Sequence, residues 1–98
     1  MKKRIMVLDD DDQIRRSLLK LLQTEGYEVV LAAEGVEGLE KLEHQDVDLL
    51  LLDLNLPNKS GWDVFERATS SNPLLPIIII TGREQQSRLA VAAGVGAL

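Results

Sequence analysis

The sequence predicts a single α/β domain whose parallel sheet carries helices on both faces. Short apolar runs alternate four times with amphipathic stretches across short connections, the pattern of strands returning through helices. Two of the runs, residues 49–52 and 77–80, are apolar at every position, as strands buried on both faces are. A third observation concerns use. Aspartates stand at the carboxyl ends of two strands, the edge at which open α/β sheets bind their ligands.

Ninety-eight residues suffice for one core but not two, so residues 1–98 are read as one domain. A formal charge of −5 argues against direct nucleic-acid binding or an anionic membrane surface, which need a basic face. The chain has no cysteine, which removes disulfides, thiolate chemistry and cysteine metal sites. The opening Met1-Lys2-Lys3-Arg4 resembles a signal-peptide start, yet the apolar run after it is short and ends in four aspartates. No segment is long enough to span a membrane, and a cytoplasmic location is expected.

The first strand is expected over residues 4–9, entered from solvated Lys2, Lys3 and Arg4. After Asp9, Asp10, Asp11 and Asp12, apolar Ile14, Leu18, Leu21 and Leu22 recur at helical spacing. Asp11 and Asp12 suit the positive end of that helix as capping residues. Gly26 is its expected stop. Residues 27–32 form the second strand, with Val29 and Val30 central. Val36, Leu39 and Leu42 mark a short second helix ending near residues 43–45. His44, at its end, is read as a solvated surface group.

Residues 48–53 are the third strand. Ser60 and Asp63 have capping-box spacing and open a third helix to about Thr69. Trp62, in its first turn, is read as partly buried packing. Residues 70–73 are a loop, and Pro76 leads into the fourth strand, residues 77–80. A fourth helix is expected over residues 85–93, broken by Gly94 and Gly96.

If the first and third strands are neighbours, Asp9 and Asp10 come close to Asp53, with Thr81 arriving from the fourth. Converging carboxylates raise one another's pKa values. A hard divalent cation relieves that repulsion, and an oxygen-only donor set favours Mg²⁺ over zinc. The site offers neither a base beside a Ser or Cys nucleophile nor a glycine-rich phosphate cradle after the first strand. What remains is a carboxylate nucleophile beside a metal.

Val7-Leu8-Asp9-Asp10, then residues 51–57 (Leu-Leu-Asp-Leu-Asn-Leu-Pro) with Gly61, then Ile79-Ile80-Thr81-Gly82 together resemble the receiver domain of two-component response regulators. The resemblance covers the whole chain. It implies a flavodoxin-like, CheY-like sheet of order 2-1-3-4-5. It also implies phosphoryl transfer from a phosphohistidine to Asp53 with Mg²⁺ as cofactor. Asp10 is then the direct Mg²⁺ ligand, Asp9 the neighbouring acid, and Asn55 the residue whose backbone carbonyl completes the metal site. Thr81 is the hydroxyl that bonds the phosphoryl group, and Gly82 leaves room for it.

The implied partners are a histidine kinase or histidine phosphotransfer protein and an effector domain beyond residue 98. A second copy would dimerise through the helix 4 region or the strand 4 edge. The resemblance describes a signalling domain, not an enzyme.

Three departures stand out. The family lysine at the end of strand 5 has no counterpart, and by register it would lie a few residues past Leu98. Leu98 itself falls where many members carry a switch Tyr or Phe. The segment between Thr81 and Gly94 is shorter than usual. Strand 5 and helix 5 are missing from residues 1–98, which would leave strand 4 an apolar edge. The natural protein is therefore expected to continue, or another chain to cover that edge.

Two rival functions differ in class. A small Mg²⁺-dependent aspartyl-phosphate phosphatase of the haloacid-dehalogenase type would need an acid two residues after Asp53, where Asn55 stands. A receiver-like interaction module independent of phosphate would not need the acid pair, Asp53 and Thr81.

Overall fold

The computed structural model describes residues 2–56 and 60–80. Four strands, β1 (Arg4–Leu8), β2 (Glu28–Ala32), β3 (Leu49–Asp53) and β4 (Ile77–Ile80), alternate with three helices: α1 (Asp12–Thr24), α2 (Gly35–His44) and α3 (Gly61–Ser71). All pairings are parallel, and the sheet order is β2-β1-β3-β4. This is the expected flavodoxin-like arrangement. The expected helix over residues 85–93, Gly94, Gly96 and Leu98 lie outside the described residues.

Strand alternation sorts the apolar side chains onto two faces. Met6, Leu8, Leu50, Leu52, Ile77 and Ile79 point to one face, where Val64, Phe65 and Ala68 of α3 and Leu39 and Leu42 of α2 pack. Ile5, Val7 and Leu51 point to the other, against Leu18 and Leu22 of α1. Met6, Leu8, Leu50 and Leu52 are each 0% exposed, and complete burial of such a side chain is worth about 1.5–3 kcal/mol. Among the described residues, the central strands β1 and β3 are thus the most deeply buried elements, and both end at the acidic edge.

Each helix begins on a side chain that satisfies backbone N–H groups left without a helical partner. Asp11 caps α1, its Oδ1 accepting from Gln13 N at 2.9 Å and Ile14 N at 3.3 Å. Asp12 lies in the first turn and pairs with Arg15 and Arg16. The capping role expected of Asp11 therefore holds, whereas Asp12 is the first residue of the helix itself and its carboxylate bonds guanidinium groups instead of backbone N–H groups. Glu34 caps α2 by accepting from Glu37 N at 2.9 Å, while Glu37 reaches back to accept from Ala33 N at 2.8 Å. Ser60 caps α3, but its hydroxyl accepts from Trp62 N at 3.1 Å, one residue short of the Asp63 N–H that a capping box uses.

Gly26 closes α1 with φ +91°, a conformation other residues adopt only with strain. Gly26 N donates to Gln23 O and Tyr27 N to Leu22 O, both at 3.0 Å, the paired bonds of a Schellman motif. Strand limits fall within one residue of expectation, and one helix boundary differs by more. Helix α3 runs to Ser71 instead of Thr69, because Ala68 is buried and its carbonyl accepts from Asn72 N at 2.9 Å. Arg4 is more than a solvated entry. Its N–H donates to Asp48 Oδ2 at 2.8 Å, and its guanidinium reaches Asp46 O and Glu28, tying the starts of three strands together. Trp62 is half-buried as expected, edge-on to Phe65 with ring centroids 5.8 Å apart. His44 is exposed.

Asp11→Ala removes the acceptor that starts α1 and should lower the unfolding free energy by about 1 kcal/mol. Asp11→Asn should retain most of it. Urea unfolding of the three chains checks the ordering.

Candidate functional site

The register that joins Leu8 to Leu52 sets the ends of β1 and β3 side by side. The residue after Leu8 is Asp9, and the residue after Leu52 is Asp53, the last of β3. Asp9, Asp10 and Asp53 each bring a carboxylate oxygen to within 4.8 Å of the others. The neighbourhood expected from the sequence is present. Asp9 is buried, 3% exposed, and is the one buried charged residue among the described residues. Asp53 is half-buried and Asp10 exposed, so the cluster opens from a dry floor to solvent.

Two strand ends use the same local device. Asp9 Oδ1 accepts from Asp11 N at 2.8 Å, and Asp53 Oδ1 accepts from Asn55 N at 3.0 Å. Each carboxylate turns back to the N–H two residues on, an Asx-turn that fixes where the side chain points. A carboxylate has two oxygens, so each turn still leaves one for the shared site.

Burial is the main reason that the Asp53 carboxyl is pushed up from its usual 3.8 to about 6, and the charges of Asp9 and Asp10 add to it against the opposing Asn55 N–H. Burial also raises Asp9, opposed by the Asp11 N–H and assisted by the charges of Asp10 and Asp11. Both shifts say that the metal-free site resists carrying its full negative charge. Three oxygens at this spacing, with no nitrogen or sulfur donor, match a hard oxygen-seeking cation such as Mg²⁺. Asn55 lies beside the cluster, next in the same loop. Thr81 and Gly82, expected to complete the site, lie outside the described residues, as does Pro57.

Gly61 sits directly behind the site. Its N–H donates to Leu54 O at 3.1 Å, and a Cβ there would lie 2.7 Å from Asp53 O and closer still to Leu54 Cα. Any side chain would push the backbone that carries Asp53. One contributor was not legible in the sequence: Arg15, whose Nη1 donates to Asp9 O at 2.7 Å. Its spacing from Asp12 suggests only an ordinary helix-surface ion pair.

A doubly wound parallel sheet with an acidic pocket at its carboxyl edge defines the class of the protein. Residues 5–98 match the family described as the response regulator receiver domain, and the chain belongs to that family. It is 38% identical over 97 residues to the response regulator MprA of Mycobacterium ulcerans (strain Agy99), covering 99% of this chain and 42% of that protein. The chain thus spans less than half the length of that relative.

Among solved structures, it is similar to a CheY-like receiver domain protein from Methanospirillum hungatei JF-1. That likeness has 36% identity and a TM-score of 0.88, covering 99% of this chain and 79% of the other. It is also similar to the response regulator TrrA from Thermotoga maritima, solved in complex with Mg²⁺-BeF. There the identity is 35% and the TM-score 0.86, covering 96% of this chain and 81% of TrrA. This is the receiver domain of a two-component response regulator. Among the described residues no helix is long and apolar enough to cross a membrane.

Two outcomes test the geometry. Because the folded pKa of Asp53, about 6, lies above its usual 3.8, the native chain holds the extra proton between those values. Metal-free stability from this group therefore falls as pH rises through that window and is level above it. Asp53→Asn should be more stable than the parent by about 1–2 kcal/mol at pH 7 in chelator, the gain vanishing near pH 4. Urea unfolding across pH measures this, and a pH-independent difference would refute it. Gly61→Ala should cost about 2 kcal/mol by overpacking and weaken Mg²⁺ binding, read by thermal unfolding and titration calorimetry.

Proposed function

We propose that this domain is a stoichiometric phosphoryl acceptor in a two-component phosphorelay, with Asp53 as the phosphorylated residue and Mg²⁺ as the required cofactor. The observation that carries the reading is the convergence of Asp9, Asp10 and Asp53 within 4.8 Å at the carboxyl edge. Asp53 is the member set at a strand end and still reachable from solvent. The complex of the similar TrrA with Mg²⁺-BeF supports Mg²⁺ as the ion for this donor set.

Asp10 and Asp53, with Asp9 beside them and the Asn55 carbonyl, would hold the cation. When bound, Mg²⁺ neutralises negative charge on the carboxylates and on the incoming phosphoryl oxygens. A carboxylate oxygen of Asp53 attacks the phosphorus of a partner's phosphohistidine. The new bond is an acyl phosphate, the P–N bond breaks, and the imidazole leaves with the electron pair and takes a proton. Such transfers have loose transition states, so the chain contributes positioning and charge placement more than covalent chemistry. The Asn55 N–H and the Asx-turn hold the Asp53 carboxylate in its attacking orientation.

In this reading Thr81 accepts the role of hydroxyl donor to the new phosphoryl group, and Gly82 gives it access. The added charge then shifts an existing equilibrium between two surfaces presented to partners. The donor is a histidine kinase or phosphotransfer protein, the setting is the cytoplasm, and an effector domain or a second copy of the chain reads the output. The domain acts as a signalling switch and not as an enzyme with turnover.

Acetyl phosphate with Mg²⁺ should label the parent chain by one phosphoryl group, seen by intact mass. Asp53→Ala should take up none. Label persisting in that variant, or many-fold turnover of a generic phosphate ester by the parent, would defeat the assignment.

A further inference from the structure

Asp9 occupies the first position beyond β1, where the pairing of β1 with β2 and β3 has just ended at Leu8. Three bonds hold it there. Its N–H donates to Ala32 O at 3.1 Å, its Oδ1 accepts from Asp11 N, and its carbonyl accepts from Arg15 Nη1 at 2.7 Å. The third is the unusual one. It is short and charge-assisted, the stronger kind of hydrogen bond. It also uses a guanidinium whose side chain is only 17% exposed, while its neighbour Arg16 is 77% exposed. The other end of the fork, Nη2, is steadied by Asp12 Oδ1 at 3.1 Å.

The carbonyl that Arg15 grips belongs to the peptide whose nitrogen is that of Asp10. A peptide unit is planar, so fixing this oxygen fixes the plane from which the Asp10 Cα departs. Asp10 is exposed, and no packed core sets its direction. We infer that Arg15 is a positioning residue for the metal site: it acts through the Asp9 carbonyl to aim Asp10 toward Asp53, and thereby sets the affinity for a divalent cation. This rests on the reading of the three acids as a Mg²⁺ site. Arg15 touches neither the cation nor the phosphoryl group in this account.

The test is a Mg²⁺ titration of the 98-residue chain, followed by NMR at the amides of Asp10 and Asp53. Arg15→Met keeps the aliphatic packing but removes the donor, and should weaken Mg²⁺ binding about tenfold, the usual effect of losing a group that orients a metal ligand. Arg15→Lys retains one cationic donor for the Asp9 carbonyl, and should restore affinity to within about twofold of the parent. Asp12→Asn removes only the outer partner of Arg15 and should also stay within about twofold, since surface ion pairs contribute little. Arg15→Leu, which also lacks a donor, carries the same prediction as Arg15→Met should the latter not fold by circular dichroism.

Folded Arg15→Met or Arg15→Leu with parental affinity overturns the role of Arg15 while leaving the Mg²⁺ reading intact. Lysine as weak as methionine overturns the Asp9 carbonyl as its point of action. A parent chain that binds no Mg²⁺ overturns the underlying reading itself.

Discussion

Three carboxylates each bring an oxygen to within 4.8 Å of the others, and everything else at this edge of the sheet follows from that crowding. Like charges at such a distance repel strongly, more so where burial has removed the screening water. The chain holds them together because two strands with largely buried side chains, β1 and β3, end there in register. Their direction is not negotiable: a slip of one residue would turn the leucines of β3 to the opposite faces. The repulsion is thus imposed by the hydrophobic core and left for a cation to relieve.

The two faces of the sheet are not equally firm. The face under α2 and α3 carries most of the buried side chains. The face under α1 has three buried residues, Ile5, Val7 and Leu51, among those described. Helix α1 itself buries none completely, and Ile14 and Leu21 are 41% and 57% exposed. Yet α1 is the element that caps the acidic turn through Asp11 and grips it through Arg15. Polar bonds from the helix start, more than apolar packing along its length, define the position of the turn. The carboxylate of β3, by contrast, is backed by rigid main chain, with Gly61 pressed against Asp53 and Leu54.

Much of this was legible in the sequence, and for identifiable reasons. Unbroken apolar runs at residues 49–52 and 77–80 have few uses outside a doubly buried strand, and β4 was expected within its observed limits. Gly26 and Asp11 are read correctly because their roles depend on local backbone chemistry alone. The meeting of Asp9, Asp10 and Asp53 needed one more premise, that β1 lies beside β3, which the receiver resemblance supplied. The extension of α3 through Ser70 and Ser71 was hidden because weak helix formers are retained there by the burial of Ala68. Arg15 and Arg4 were hidden for a different reason: each reaches main-chain oxygens whose positions exist only once the strands are assembled. Side chains that bond to backbone leave little trace in a pattern of residue types.

The central claim, that these distant acids form one cation site, is tested most directly with Mn²⁺, a paramagnetic ion that shares the oxygen preference of Mg²⁺. Substoichiometric Mn²⁺ should broaden the amide signals of Asp9, Asp10, Asp53 and Asn55 first and together, and excess Mg²⁺ should restore them. Broadening that begins instead at Asp46 and Asp48 on the opposite edge, or that spreads evenly over the acidic surface, would contradict the account.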